Sequence, residues 1–350
     1  MILLQLGKKW KVRILDLDFG FFNNALTGTF DVFQRDTKDM LGPSADLADF
    51  FGAEAPNTNN ARMRNRGWEL SLQYRGKIGK DIHYSIGGSL ADATSEVTAY
   101  ENPTGTNPQD NWYVGKKVGE IWGYKASGYS RPKKKLTHII THTIYLSYRQ
   151  KWMPGDVKYM DLNNDKKINN GNNTLEDMGD MCVIGNTTPR YQYTLNGSIS
   201  WKGISLSMMF QGIGKRNWSP DLGTVYFWGS GAYAQVTVFN DHLDYWTPEN
   251  PDAYYPNPYT GAAGSINQFR NKTSQKSDRY MQSAAYCRLK NLTISYDLPN
   301  SWSQKIGLSK AQVFFSGENL LTFTKLPSMF DPEAILQVMT IPVRPERIIQ

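Results

Sequence analysis

Two-faced segments run through this chain, joined alternately by tight turns and by long excursions. From Asn291 to Leu298, Leu292, Ile294, Tyr296 and Leu298 share one side, and Asn291, Thr293, Ser295 and Asp297 share the other. Period-two alternation means an extended strand with two unlike faces. The pattern recurs around Leu15–Phe21, Thr29–Val32, Trp68–Arg75, Ile82–Leu90, Tyr193–Lys202 and Ile204–Gln211, and more loosely over Gln312–Leu321. The connections sort these strands. Asn23–Leu26, Ile78–Asp81, Lys202–Gly203 and Asn300–Lys310 close hairpins. Between them lie Met40–Asn65, a span of about a hundred residues ending at Arg190, and about seventy ending at Ser283; compact soluble domains prefer a few residues throughout. In an up-and-down sheet every second connection lies at the same end, so all long excursions leave one end and all tight turns the other. Membrane barrels have this asymmetry.

The expected fold is therefore all-β: an antiparallel transmembrane β-barrel section, a partial barrel of about nine strands with long extracellular loops. No run of about 18 apolar residues suggests a membrane helix, but barrel strands turn only every second residue to lipid. On this reading Leu292, Ile294 and their counterparts meet lipid, while Asp16, Asp18, Glu69 and Arg75 sit mid-strand facing a watery lumen. Trp68, Tyr74, Trp201 and Phe210 are expected in aromatic girdles near strand ends. The alternative is a secreted, soluble β-sandwich that binds carbohydrate, in which the same apolar residues are buried between two sheets.

Composition excludes several classes. The formal charge of +7 owes part of its excess to one run, Arg131–Lys135, and no nucleic-acid motif accompanies it, so nucleic acid is not an expected partner. Cys182 and Cys287 form no CxxC, and neither a disulfide framework nor a zinc site follows. His83, His138, His142 and His242 are scattered; the strand-favouring neighbours of His138 and His142 argue against helical metal spacing. No HExxH, GxSxG or phosphate loop is present, and an enzyme is not expected.

Two sets of residues are candidates for binding. Asp161, Asn163 and Asp165 alternate like the oxygen ligands of a calcium loop, with the Lys167 carbonyl next. Lys166 stands where such loops have glycine, Asn172 stands where they have a bidentate Glu, and Glu176 or Asp177 would have to compensate. Calcium is the candidate cofactor, and a turn capped by its own Asx side chains is the competing reading. The second set is aromatic: Trp218, Tyr226, Trp228, Tyr233 and Trp246 lie in the long segment 212–282 among Asn and Asp. Flat rings stack on sugar faces while amides take hydroxyls; the competing reading is that the rings pack the loops against each other.

SAAYCRLKNLTISYDLP (Ser283–Pro299) and VFFSGENLLTFTKLPSMFDPE (Val313–Glu333) resemble the C-terminal barrel signature of SusC/RagA-type TonB-dependent outer-membrane transporters. Leu17–Leu41, Asn65–Tyr74, Pro154–Ile168 and Ile184–Gly212 fit the same family, in family order. The resemblance implies a section of a plugged barrel in the cell outer membrane, surrounded by lipid and importing an oligosaccharide (glycan) or peptide. It implies a SusD-like surface lipoprotein as lid, with energy drawn from the TonB complex. It places segment 212–282 outward, toward lid and substrate. Residues 1–12, 131–151 and 336–350 depart from the pattern, with Pro342 and Pro345 expected to break any final strand. Nothing resembles a plug or a TonB box. The expectation is a C-terminal fragment or truncated copy, inactive in transport alone, which meets the TonB complex only through an N-terminal part missing from it.

Overall fold

The computed structural model describes residues 9–41, 59–100, 105–129, 141–142, 154–220, 225–228, 238–257, 275–335 and 348–349. Its main element is one antiparallel sheet built from β1 (Lys9–Phe21), β2 (Leu26–Met40), β3 (Ala61–Ile78), β4 (Ile82–Tyr100), β5 (Arg190–Trp201), β6 (Ile204–Lys215), β7 (Tyr286–Asp297), β8 (Gln312–Thr324) and the two-residue β9 (Ile348–Ile349). Spatial order equals chain order, an up-and-down meander. β1 and β9 are its edges, so the sheet is a section of wall and not a closed barrel.

The turn chemistry fixes the short end. Phe22, Asn23 and Asn24 have positive φ between β1 and β2. Lys202 and Gly203, with φ of +47° and +89°, join β5 to β6 as a two-residue hairpin; its central residues have the left-handed geometry that matches strand twist. The β7–β8 connection is a short helical segment from Asn300 to Ile306.

Register aligns the alternation across the whole wall. Leu17, Phe30, Leu70, Leu90 and Tyr193 form one cross-strand row, and Ile199, Leu206, Ile294 and Phe315 another on the same face. The opposite face carries Asp18, Thr29, Ser71, Ser89, Thr194, Gln211, Arg288 and Thr322 in one row. Its hydroxyls bridge neighbouring strands: Ser89 to Thr194 at 2.7 Å and Thr293 to Ser316 at 3.0 Å. A register slip of one residue would exchange the two faces.

Among the described residues nothing is stacked on the apolar face. Ile86, Leu195 and Phe323 are 62%, 54% and 60% exposed. A sandwich would bury these side chains between its sheets, so this observation overturns the soluble-module alternative. The buried core lies instead at the long-connection end. There Glu120–Tyr124 pairs with Met181–Asn186, Ala126–Tyr129 with Val157–Tyr159, and Asn217–Trp218 with Gln282–Ser283.

Three details differ from the sequence expectation. The strands are longer than the alternation suggests: β3 has 18 residues and β4 has 19, where about 9–11 tilted residues suffice to cross a bilayer. Phe210 lies mid-strand, aligned with Leu195 and Leu289 in the apolar band and not in a girdle, whereas Trp201 does sit beside its turn. Finally, Ile348–Ile349 resumes pairing with Gly317 and Glu318 beyond Pro345. Thr141–His142 is a strand, as its neighbours imply, while His138 lies outside the described residues.

Candidate vestibule and loop site

At the long-connection end the loops fold over the polar face of the wall and lock to it through one arginine. Arg288 projects from β7 on that face and is 1% exposed. Its guanidinium donates to Asp331 Oδ1 at 2.8 Å, to Glu333 Oε2 at 2.5 Å and to Thr322 Oγ1 at 2.9 Å. Lys290 Nζ reaches Glu333 at 2.8 Å, and the Tyr286 hydroxyl donates to Glu333 Oε1 at 3.0 Å. Burial alone would push the Glu333 carboxyl up, but Lys290, Arg288 and Tyr286 together hold it below its ordinary value. Arg216, also buried, donates to the carbonyls of Thr187 and Pro332 and ties the same segment to the end of β6. Segment 326–335 is thus folded back against the lumenal side.

The Met329–Phe330 corner of this segment enters the aromatic cluster. Phe330 meets Trp218 with ring centroids 4.9 Å apart, and Phe227, fully buried, lies edge-on to Trp228, Tyr255 and Tyr280. Arg279 stacks over Tyr129 at 4.0 Å, and the Tyr129 and Tyr280 hydroxyls are 3.0 Å apart. Burial, followed by Tyr129, raises Tyr280 well above the usual phenol range, so it stays a neutral hydrogen-bonding group.

The structure therefore gives Trp218, Trp228 and Trp246 a packing role. They are 6%, 5% and 5% exposed, and among the described residues their rings pack loop against loop. Their burial suits the loop-packing reading of these rings more than direct stacking on ligand. Tyr226 is described by its backbone only, and Tyr233 lies outside the described residues. Among the described residues of segment 212–282, the aromatics with open surface are Tyr245 and Tyr254, at 38% and 37%. Sequence reasoning missed the Arg288–Asp331–Glu333 lock; its signal was an arginine at an inward-facing position of a strand and two acids spaced by one residue after it.

In the Asp161 loop, each singled-out side chain caps a turn. Asp161 Oδ2 accepts from the Lys166 N–H at 3.0 Å, Asn163 Oδ1 from Asp165 at 3.0 Å, and Asp165 Oδ1 from Lys167 at 2.7 Å. Asp161 Oδ1 is buried with no hydrogen-bond partner. Behind it, fully buried Asp180 accepts from the Leu162 N–H at 2.7 Å and the Asn169 N–H at 3.0 Å. Burial pushes the Asp180 carboxyl up, with the Asp161 charge adding to it. Asp177, a candidate to complete the ligand set, is instead taken by the N–H groups of Asn172 and Gly179. Among the described residues no three His, Cys, Asp or Glu side chains gather into a metal-holding group, so any cation here would rest on Asn and carbonyl oxygens besides Asp161 and Asp165.

The TonB dependent receptor-like β-barrel family matches residues 8–320. The TonB-dependent receptor P3 of Formosa agariphila is 27% identical over 93% of this chain and 31% of its own length; receptor P26 of the same organism is 21% identical over 91% and 30%. Among solved structures, the RagAB peptide transporter aligns with a TM-score of 0.65 at 23% identity, over 93% of this chain and 33% of that one. The same importer in its closed-closed state gives 0.63 at 24%. The chain spans about a third of the length of the relatives it matches. Members of this family are receptors and transporters whose barrels belong to the outer membrane. The match runs over most of the chain and its strands lie as a barrel wall requires: the chain belongs to the TonB dependent receptor-like β-barrel family.

Proposed function

We propose that these residues form the C-terminal wall and vestibule of an energy-coupled importer in the outer membrane, one that takes up an oligosaccharide or a peptide. The observation that carries this reading is the two-faced meander whose long connections all leave one end. The apolar face meets hydrocarbon, the hydroxyl- and amide-lined face borders the solute path, and the loop cluster forms the mouth. Solute contact falls to the partly open Tyr245 and Tyr254, with Trp218, Trp228 and Trp246 holding the loops that present them. A SusD-type lipoprotein would cover this mouth, and coupling to TonB would run through parts of the receptor beyond these nine strands, which by themselves do not close a barrel. The peptide transport of the RagAB neighbour favours a peptide as strongly as the loop aromatics favour a glycan. The test is accumulation of fluorescent oligosaccharide and oligopeptide pools by cells carrying the receptor. One class should accumulate, and collapse of the proton-motive force should stop it. Accumulation that continues without the proton-motive force would overturn the reading.

We propose further that Asp161, Asn163, Asp165 and the Lys167 carbonyl hold calcium, supported by the buried, unpartnered Asp161 Oδ1 beside Asp180. A hard cation would satisfy that oxygen and offset the repulsion between the two carboxylates. Calcium at ten times its dissociation constant should stabilise the folded state by about 1.4 kcal/mol, a rise of roughly 2 °C in Tm. Asp161→Asn should abolish the rise. Because Asp180 is pushed up, calcium should bind more weakly as pH falls through its folded range and protonation removes the charge. Melting curves identical with calcium and with chelator would remove the site.

A further inference from the structure

β3 and β4 continue past the apolar band, and what they carry on its outer side is basic. Arg13, Gln34, Arg66 and Thr94 are register partners on β1–β4. They stand two residues along from Leu15, Val32, Trp68 and Asp92, so by strand parity they share the face that meets hydrocarbon. The two rows line a shallow groove of about 580 Å³ with an apolar floor and a cationic rim. Leu15 is 71% and Val32 42% exposed there.

The charges around the groove are not equally committed. Arg190 clamps Asp92, which is only 8% exposed. Arg64, one step higher, pairs with Asp36 at 2.7 Å. Among the described residues neither Arg13 nor Arg66 forms a direct ion pair with a carboxylate; Arg13 lies within electrostatic reach of Asp36, whose carboxylate is already held by Arg64 and Gln34, and Arg66 donates its Nε to Gln34 Oε1 at 2.8 Å. Both are exposed and always charged. They flank β2, so their Cα atoms lie about 9–10 Å apart by strand spacing, a gap that two long side chains close around one phosphate. At the turn end the same face finishes differently. Its last row is Ile78, Ile82, Trp201, Ile204, Tyr296 and Val313, without an arginine. Lys202 lies over the Trp201 ring there, but the paired arginines stand at the other end only.

We propose that this groove seats an outer-leaflet lipid with an anionic, phosphate-monoester headgroup, the acyl chains lying on Leu15, Val32 and Trp68 and the phosphate between Arg13 and Arg66. A planar guanidinium matches phosphate oxygens two at a time, and the headgroup depth is where such a pair meets them. The proposal rests on the sheet being a membrane wall, and the experiment separates the two. The complete receptor that carries this wall, in detergent micelles, is titrated with two lipids that carry the same brominated acyl chains, one with a phosphate-monoester headgroup and one with phosphatidylcholine. Tryptophan quenching reports contact with the acyl chains. The anionic lipid should bind more tightly, by roughly fivefold for each arginine. Arg13→Gln with Arg66→Gln should remove that preference while leaving phosphatidylcholine quenching unchanged, which also shows that the variant is folded. Equal binding of the two lipids by the unmodified chain would overturn the proposal and leave the wall intact. Loss of the preference on adding inorganic phosphate at the lipid's own concentration would also overturn it, since the groove would then serve free phosphate. No quenching by either lipid would overturn the wall itself.

Discussion

Replacing Arg288 with leucine should cost about 3–5 kcal/mol, the range for removing one partner from a buried ion pair. The cost arises from what stays behind. Asp331 is 7% exposed and Glu333 is partly buried, both against the inner wall, and without the guanidinium they face each other while Glu333 keeps only Lys290 and the Tyr286 hydroxyl. The loss should be local first. Segment 326–335 should detach, withdraw Phe330 from Trp218, and become a site of proteolytic cleavage while the strand ladders stay protected from hydrogen exchange. Arg288→Lys should recover only part of the stability, because an ammonium cannot serve Asp331, Glu333 and Thr322 with fixed geometry. Acid gives an independent reading. The Glu333 carboxyl is held below its ordinary value, so its contribution to stability is whole above the unfolded-state pKa and disappears as pH falls through the lower, folded one. The acid limb of the stability profile should flatten in Arg288→Leu. A variant as protease-resistant as the parent, with an unchanged acid limb, would show that the loop is held by its aromatic contacts alone.

The wall was legible because alternation is a property of adjacent residues. Leu292, Ile294 and Tyr296 against Asn291, Thr293 and Ser295 needed no knowledge of any partner strand, and register then placed them beside Met208 and Leu206 in the same two faces. Strand ends were less legible. The alternation continues through Arg62, Arg64 and Arg66, but charge on the outer side reads as loop until the strand is seen to outlast the apolar band. The loop site was the least legible. An aromatic ring in a long loop has the same sequence signature whether it meets a ligand or another ring, and only the positions of Phe227, Tyr280 and Phe330 show that Trp218 and Trp228 are enclosed. Asp180 was missed for a similar reason: it closes the Asp161 loop from eighteen residues away, and no local spacing announces that return.

Leu195→Arg tests which solvent shaped the two faces. Leu195 aligns with Gly88 and Phe210, in a row between the Trp201 turn end and the Trp68 level, close to the middle of the apolar band. An arginine there should destabilise the wall by about 2–4 kcal/mol, the cost of such a charge at the bilayer midplane. Asn196→Arg, one residue along, turns the same charge toward the opposite face, where Asn196 is exposed beside Gln73. It should change stability by less than about 0.5 kcal/mol, as for an ordinary wet surface. The measurement is the amount of heat-modifiable, folded receptor in outer-membrane fractions, followed by urea unfolding in lipid vesicles. The contrast matters more than either value, because both substitutions add the same charge and volume to the same strand. Only a dry exterior and a wet interior make them differ by this much. If the two variants behaved alike, neither face would be in hydrocarbon. If the order were reversed, the polar rows would lie outside and the lumen would be apolar, against every hydroxyl bridge seen between these strands.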